Sequence, residues 1–363
     1  MRELPTITDP VFVAPTRYSR LDRFFLRLIR DERDLPFIHL TLKISLTLLP
    51  LGLLLFLQLV GWFWWGAAIA YFVLNNFVFK GSFGLMLHCT SHRRLFKQKY
   101  DYLNHYLPWV VSPFFGHSPE TYFSHHIGMH HIENNLEDDL SSTMPYQRDS
   151  IGGFLKYFGS FLLLGVAYLV KYFDFRKIVK LRNKVVRGEL LFYLFCIVMC
   201  FVNLAATLWV FVLPLFLYRL VAMVGNWAQH SFIDYNDPGN CYKNSLTCIN
   251  TNYNHKCWND GYHINHHLQP RLHWTEYPLH FQENLTDFAK NKALVFEGIH
   301  WLHVWLYLMT RNYKALANHL VNLNGMFASE EEAIDLMRQR AVKMPRRGIT
   351  VKSLKAQALQ GFA

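Results

Sequence analysis

The chain has 363 residues, of which 52% are hydrophobic and 16% aromatic. That is more apolar than an average soluble domain, and a mean hydropathy of only +0.06 means that long apolar runs alternate with charged segments. The formal charge is +11, with the bases beside the apolar runs. They point to an anionic membrane surface or an acidic protein partner, and away from nucleic acid.

Residues 1–36 lack a short apolar core with a small-residue cleavage site, so no signal peptide is expected. Arg17, Arg20, Arg23, Arg27, Arg30 and Arg33 alternate with Leu21, Phe24, Phe25, Leu28 and Ile29 at helical spacing. This predicts an amphipathic cytoplasmic segment, lying on a membrane surface or packed on the domain. A membrane domain over 37–285 follows. Its first span is expected at about 40–60, with Lys43 snorkelling near one end. The run Trp62-Phe63-Trp64-Trp65 suits a membrane interface. A second span over 62–87 would return the chain and carry His88 and His92 out on the starting side. Arg93, Arg94, Lys97 and Lys99 put that side in the cytoplasm.

Residues 103–115 are broken by Pro108 and Pro113 and are too short to span. The apolar run 154–170 is expected to be an interfacial helix. The bases from Lys171 to Arg187 after it should be cytoplasmic, and the histidine-rich stretches 126–131 and 263–267, on either side of 190–224, must share a side to share a site. Spans at 190–206 and 207–225, with a bend near Asn203, complete a second hairpin. Residues 286–363 read as a cytoplasmic helical region with a basic tail; its helix is expected at Glu330–Arg340, and His300 and His303 are read as packing residues.

Histidines are concentrated where these spans end. His88 and His92 stand at i, i+4. His126, His130 and His131 form a triplet, Asn226 and His230 a pair at i, i+4, and His263, His266 and His267 a second triplet. On a helix, residues at i, i+3 and i+4 share one face, and neutral imidazole is a common ligand for iron, zinc and copper. Nine histidines exceed what one metal can use, whereas two metals with four or five each would use them. Ligating histidines usually donate their second N–H to a carboxylate or carbonyl. Glu133, Glu137, Asp138 and Asp139 are therefore candidates for that outer role, or else a solvated acidic loop. Cys89, Cys196, Cys200, Cys241, Cys248 and Cys257 form no CxxC, so a zinc finger or redox dithiol has no support, and reduced thiols are expected.

The ordered set HxxxH, HxxxHH, NxxxH and HxxHH resembles the integral-membrane fatty acid desaturase and hydroxylase superfamily over roughly residues 40 to 285. The resemblance implies an all-α fold, with four transmembrane helices in two hairpins and a cytoplasmic helical cap holding a dimetal site. It implies two iron ions as cofactors and O2 as co-substrate. It also implies that Asn226 acts through a water, and that Asp260 is the acid of the family's Gly-Asp/Glu-Gly lead-in, with Asn259 in place of the first glycine. His125 and His255 lie near the boxes without matching them.

The implied activity is desaturation of a lipid acyl chain; hydroxylation of a fatty acid or sphingolipid, or related di-iron oxygenase chemistry, remains open, and a zinc-dependent membrane hydrolase is the more distant reading. Metal transport is disfavoured because 40–60 and 190–224 hold few polar groups beyond Lys43, Asn203 and Arg219. No His-Pro-Gly-Gly heme motif, Gly-x-Gly-x-x-Gly fingerprint or four-cysteine cluster set is present. Electrons would come from an external b-type cytochrome or ferredoxin with its reductase. The bases of 93–99 and 171–187 would dock that donor or simply orient the protein. Both termini and the site are expected in the cytoplasm, at the endoplasmic reticulum or a bacterial inner membrane.

Overall fold

The computed structural model describes residues 1–57 and 61–360. Residues 58–60, the end of the expected first span, lie outside the described residues, as does the tip of the expected basic tail, 361–363. Among the described residues the chain is mostly helical, and five helices are long and apolar enough to cross a membrane. These features are those of a multi-pass membrane protein.

Helix α1 is Arg20–Leu26. Ser19 opens it with a capping box: its hydroxyl accepts from the Asp22 amide, and the Asp22 carboxylate accepts from the Ser19 amide. The amphipathic helix expected within 1–36 is confined to these seven residues. Helix α2, Leu35–Leu54, has Pro36 in its first turn, where a missing N–H costs nothing. Helix α3 runs Trp62–His92, so the second expected span and the first histidine pair share one rod. A π turn at Leu74–Phe79 interrupts it.

Helix α4, Ile151–Phe175, is 25 residues long and passes the spanning criterion. It extends beyond the expected 154–170 at both ends, so length and composition do not set it apart as interfacial. Helix α5, Val179–Val202, starts well before the expected 190. Its early Lys180, Arg182, Lys184 and Arg187 look like a loop by polarity, but Lys and Arg are good helix formers. Helix α6 is Leu204–Gln229. The bend expected near Asn203 is present: Asn203 is extended, and its side chain accepts from the Ala206 amide to cap α6.

Past α6 the all-α expectation needs a small correction. Strand β1, Leu246–Ile249, pairs in parallel with β2, Leu294–Glu297, with Leu246 opposite Leu294. Helix α7, His263–Leu268, lies between them in sequence. Helices α8, Trp301–Met309, α9, Tyr313–His319, α10, Glu330–Arg340, and α11, Val351–Gln360, follow β2.

The chain folds as two compact units. One holds 1–11, 126–169 and 221–363; the other holds 12–125 and 170–220. In the first, Phe296, Val304, Leu308, Leu316 and Met337 form one buried cluster. Tyr262, Ile264, Phe281, Phe288 and Val295 form another, which includes residues of α7 and its lead-in. The N-terminal residues are part of this unit: Arg2 bridges to Val321, and Asp9 accepts from Tyr262 Oη at 2.6 Å and from the Asn250 amide at 2.7 Å. Arg148 is fully buried and donates to six backbone carbonyls, from Thr143 to Val342.

In the second unit, Tyr71 Oη donates to the Phe114 and Val210 carbonyls at 3.0 and 3.2 Å. Trp62, Phe77 and Phe201 are largely exposed. Apolar surface of this extent on a helix suits acyl chains rather than water. The short turns Gln98–His105, Leu107–Val111 and Ser112–Phe115 are too short to span, as expected.

Candidate metal centre

The site grows from α7 in the first unit. His263, His266 and His267 are all buried on this single helix, whose spacing turns the three rings to one side. The backbone before α7 explains the departure at Asn259. Its φ is +55°, in the left-handed region that glycine and asparagine tolerate best. Asn259 also donates to the carbonyls of Pro10 and Trp274 at 2.8 and 2.9 Å, which a glycine could not do. Gly261 is required for space: a Cβ there would meet the Cys248 carbonyl at 2.3 Å.

Four histidines of this unit converge. One ligand nitrogen from each of His130, His230, His263 and His267 lies within 4.8 Å of the others. The His263 Nε2 is 3.1 Å from both His230 Nε2 and His267 Nε2. Beside them, the Nε2 of His131 is 3.1 Å from that of His126 and 2.9 Å from that of His266. Nitrogens bound at right angles to one metal, each about 2.1 Å away, stand about 3 Å apart. The donor set and its spacing therefore fit metal ions. In the second unit, His88 and His92 follow one another on α3 with ring centroids 5.2 Å apart, and His88 is buried. His125 and His255 stand in neither histidine group.

The far nitrogens are held as a ligand set requires. His130 Nδ1 lies 2.7 Å from Asp139 Oδ2. Asp139 is itself buried and accepts from the amides of Asn135 and Ser141 and from the Ser141 hydroxyl. His230 Nδ1 donates to the Asn244 carbonyl at 2.8 Å. His266 Nδ1 is 3.0 Å from Tyr277 Oη. Each contact leaves Nε2 facing the cluster. Burial, then the neighbouring His130, pushes the His230 imidazole down to about 3. Burial and the surrounding imidazoles hold His267 well below its ordinary value. Both are neutral at physiological pH, the form that binds metal.

Among the other expected residues, Asn226 donates from Nδ2 to the Ser141 carbonyl at 2.9 Å and to Tyr157 Oη at 2.7 Å. Asp260 accepts from Tyr253 Oη at 2.6 Å and from Gln229 Nε2 at 3.1 Å. Burial raises its carboxyl to about 6. The second bond ties Asp260 to Gln229, the neighbour of His230 in sequence. Glu133 is buried and Asp138 half-buried. Glu137 accepts from the backbone amides of Arg347, Gly348 and Ile349, so this acid fastens the C-terminal tail.

Sequence spacing missed the partners Tyr277, Ser141 and Asn244. The first two are common polar residues with no periodic signature, and the third acts through its backbone. The basic stretch 93–99 is partly used within its own unit. Arg93 pairs with Asp31 at 2.7 Å, Arg94 pairs with Asp101, and Lys97 donates to the Leu26 and Arg27 carbonyls at the end of α1.

The sequence profile of the family described as fatty acid desaturase matches residues 62–299, a stretch that contains all four histidine boxes. No curated protein and no solved structure matches the chain.

Proposed function

This chain belongs to the fatty acid desaturase family, and on that premise we propose that it introduces a double bond into a lipid acyl chain, using O2 and electrons from a separate donor protein. The observation that carries the reading is the pair of imidazole groups in the first unit, with facing nitrogens about one ligand–ligand distance apart. Iron accepts a nitrogen-rich shell and changes oxidation state, whereas zinc prefers four ligands and has no redox chemistry. Two bound irons would supply the O2-dependent oxidation of an unactivated methylene.

His88, His92, His126, His130, His131, His230, His263, His266 and His267 are the proposed ligands. The order of the boxes in the family supports including the pair on α3. Asn226, its amide nitrogen already committed, would reach the centre through a water at Oδ1. Asp139, the Asn244 carbonyl and Tyr277 keep each ring turned inward, so little ordering remains when metal binds. The donor is proposed to be a b-type cytochrome or ferredoxin.

His130 and His263 belong to one group, so their segments share a side of the membrane. Helices α4, α5 and α6 lie between them. An even number of these must cross, and we assign α4 to the interface, its bases after Lys171 remaining cytoplasmic. Both termini then lie with the metal centre.

Lipid profiling of a host expressing the wild type, His130→Ala and His266→Ala tests the reading. The expected product is an acyl species lighter by two hydrogens, absent with either variant. A product heavier by one oxygen would make the enzyme a hydroxylase. Unchanged lipids, with iron bound and a reductase supplied, would reject acyl oxidation.

A further inference from the structure

The second unit buries a polar cluster away from its two histidine ligands. Lys80 on α3 is 4% exposed and His117 is 8% exposed. Lys80 Nζ and His117 Nε2 have no hydrogen-bond partner. Tyr218 on α6 is their common neighbour. Its ring centroid lies 5.7 Å from Lys80 Nζ and 3.7 Å from that of His117. The ring sits over Gly84, where a Cβ would meet Tyr218 Oη at 2.6 Å. That close approach leaves room for the tyrosine between the helices.

The acids nearby lie against other groups, although Glu189 Oε2 has no hydrogen-bond partner. Glu189 accepts from the Ser118 hydroxyl, and Arg219 Nη2 is 3.6 Å from its other oxygen. Glu120 pairs with Lys184 at 2.6 Å. Lys80 has no ion pair among the described residues. Burial, with help from the charges on Lys80 and Arg219, takes the His117 imidazole down to about 3, so it stays neutral and can donate from Nε2. An ionisable group inside a membrane bundle is costly and marks a place where something polar is handled. Two buried nitrogens around one aromatic ring suit an oxygen acceptor.

We propose that Lys80 and His117 form a subsite for the carbonyl or carboxylate oxygen of the acyl substrate. Identifying the ligand as acyl rests on the desaturase reading; the subsite rests on the two nitrogens. Lys80 precedes His88 by eight residues on α3, about 12 Å of helix rise.

Full-length protein in lipid nanodiscs, with no reductant supplied, is titrated with hexadecanoic acid, methyl hexadecanoate and hexadecane, beside Lys80→Met and His117→Phe. The wild type is expected to bind at least one oxygen-bearing probe about tenfold more tightly than hexadecane. Preference for the acid alone, lost in Lys80→Met, identifies a free carboxylate. Preference for both, reduced in His117→Phe, identifies a carbonyl. Equal binding of all three probes, or variants that keep the preference, overturns the subsite. A wild type that prefers the oxygen-bearing probes but changes no lipid rejects the desaturase reading and leaves the subsite standing.

Discussion

Asp139 is the acid that matters most among those near the second box. Its side chain is buried, accepts three hydrogen bonds from Asn135 and Ser141, and meets His130 Nδ1 at 2.7 Å. Asp139→Asn preserves volume but weakens the hold on the ring. A loss of roughly tenfold or more in metal affinity is expected, read as metal per chain after dialysis against a graded chelator. Tyr277→Phe should have a smaller effect in the same assay, since a neutral hydroxyl is replaced rather than a buried charge.

Gly261→Ala tests the lead-in to α7. The added methyl collides with the Cys248 carbonyl, and α7 must shift to relieve it. Overpacking of this kind costs about 1–3 kcal/mol, and the expected result is loss of metal with most of the helicity retained by circular dichroism. At this scale the grouping of the histidines was legible from the sequence, because helix spacing fixes which of them share a face. Their supports were not, because a carbonyl such as that of Asn244 has no side-chain signature and Tyr277 lies outside every box.

The α7 helix has only six residues, too few to be stable alone. Its position depends on the packing of its own Ile264 with Tyr262, Phe281 and Phe288. Phe281→Ala should destabilise the protein by about 3–5 kcal/mol, and thermal unfolding in detergent would show it as an earlier transition. Helix α4 makes a sharper test of topology. Ile151 and Phe175, at its two ends, are exposed, so Ile151→Cys and Phe175→Cys can each be offered a membrane-impermeant thiol reagent. Labelling of both from one face is expected for an interfacial helix; opposite faces would make α4 a true span.

Apolar runs marked where these helices pass, but charge misled at the start of α5, where a basic first half belongs to the same helix. The strands were hidden for another reason. Leu246–Ile249 and Leu294–Glu297 are short, and they pair across an intervening segment that contains α7. Nothing local in either run announces the other.

For the molecule as a whole, a metal held by several imidazoles binds the folded chain and not the unfolded one. Removing it should lower the unfolding temperature. Free metal at a hundred times its dissociation constant is worth about 2.7 kcal/mol of stability, and differential scanning calorimetry before and after chelation measures it. An unchanged transition would mean that the histidine groups are not the site of binding.

The bond from Tyr262 to Asp9 joins residues 253 apart in sequence. On a growing chain, Asp9 emerges long before its partner is made. The same delay applies to His130, which waits for His263 and His267 before its group can close. Long-range closure of this kind comes late in folding. A metal held by this group would therefore be loaded only after residue 267 has been made. Nascent chains arrested before residue 263 should insert into membrane yet emerge free of metal.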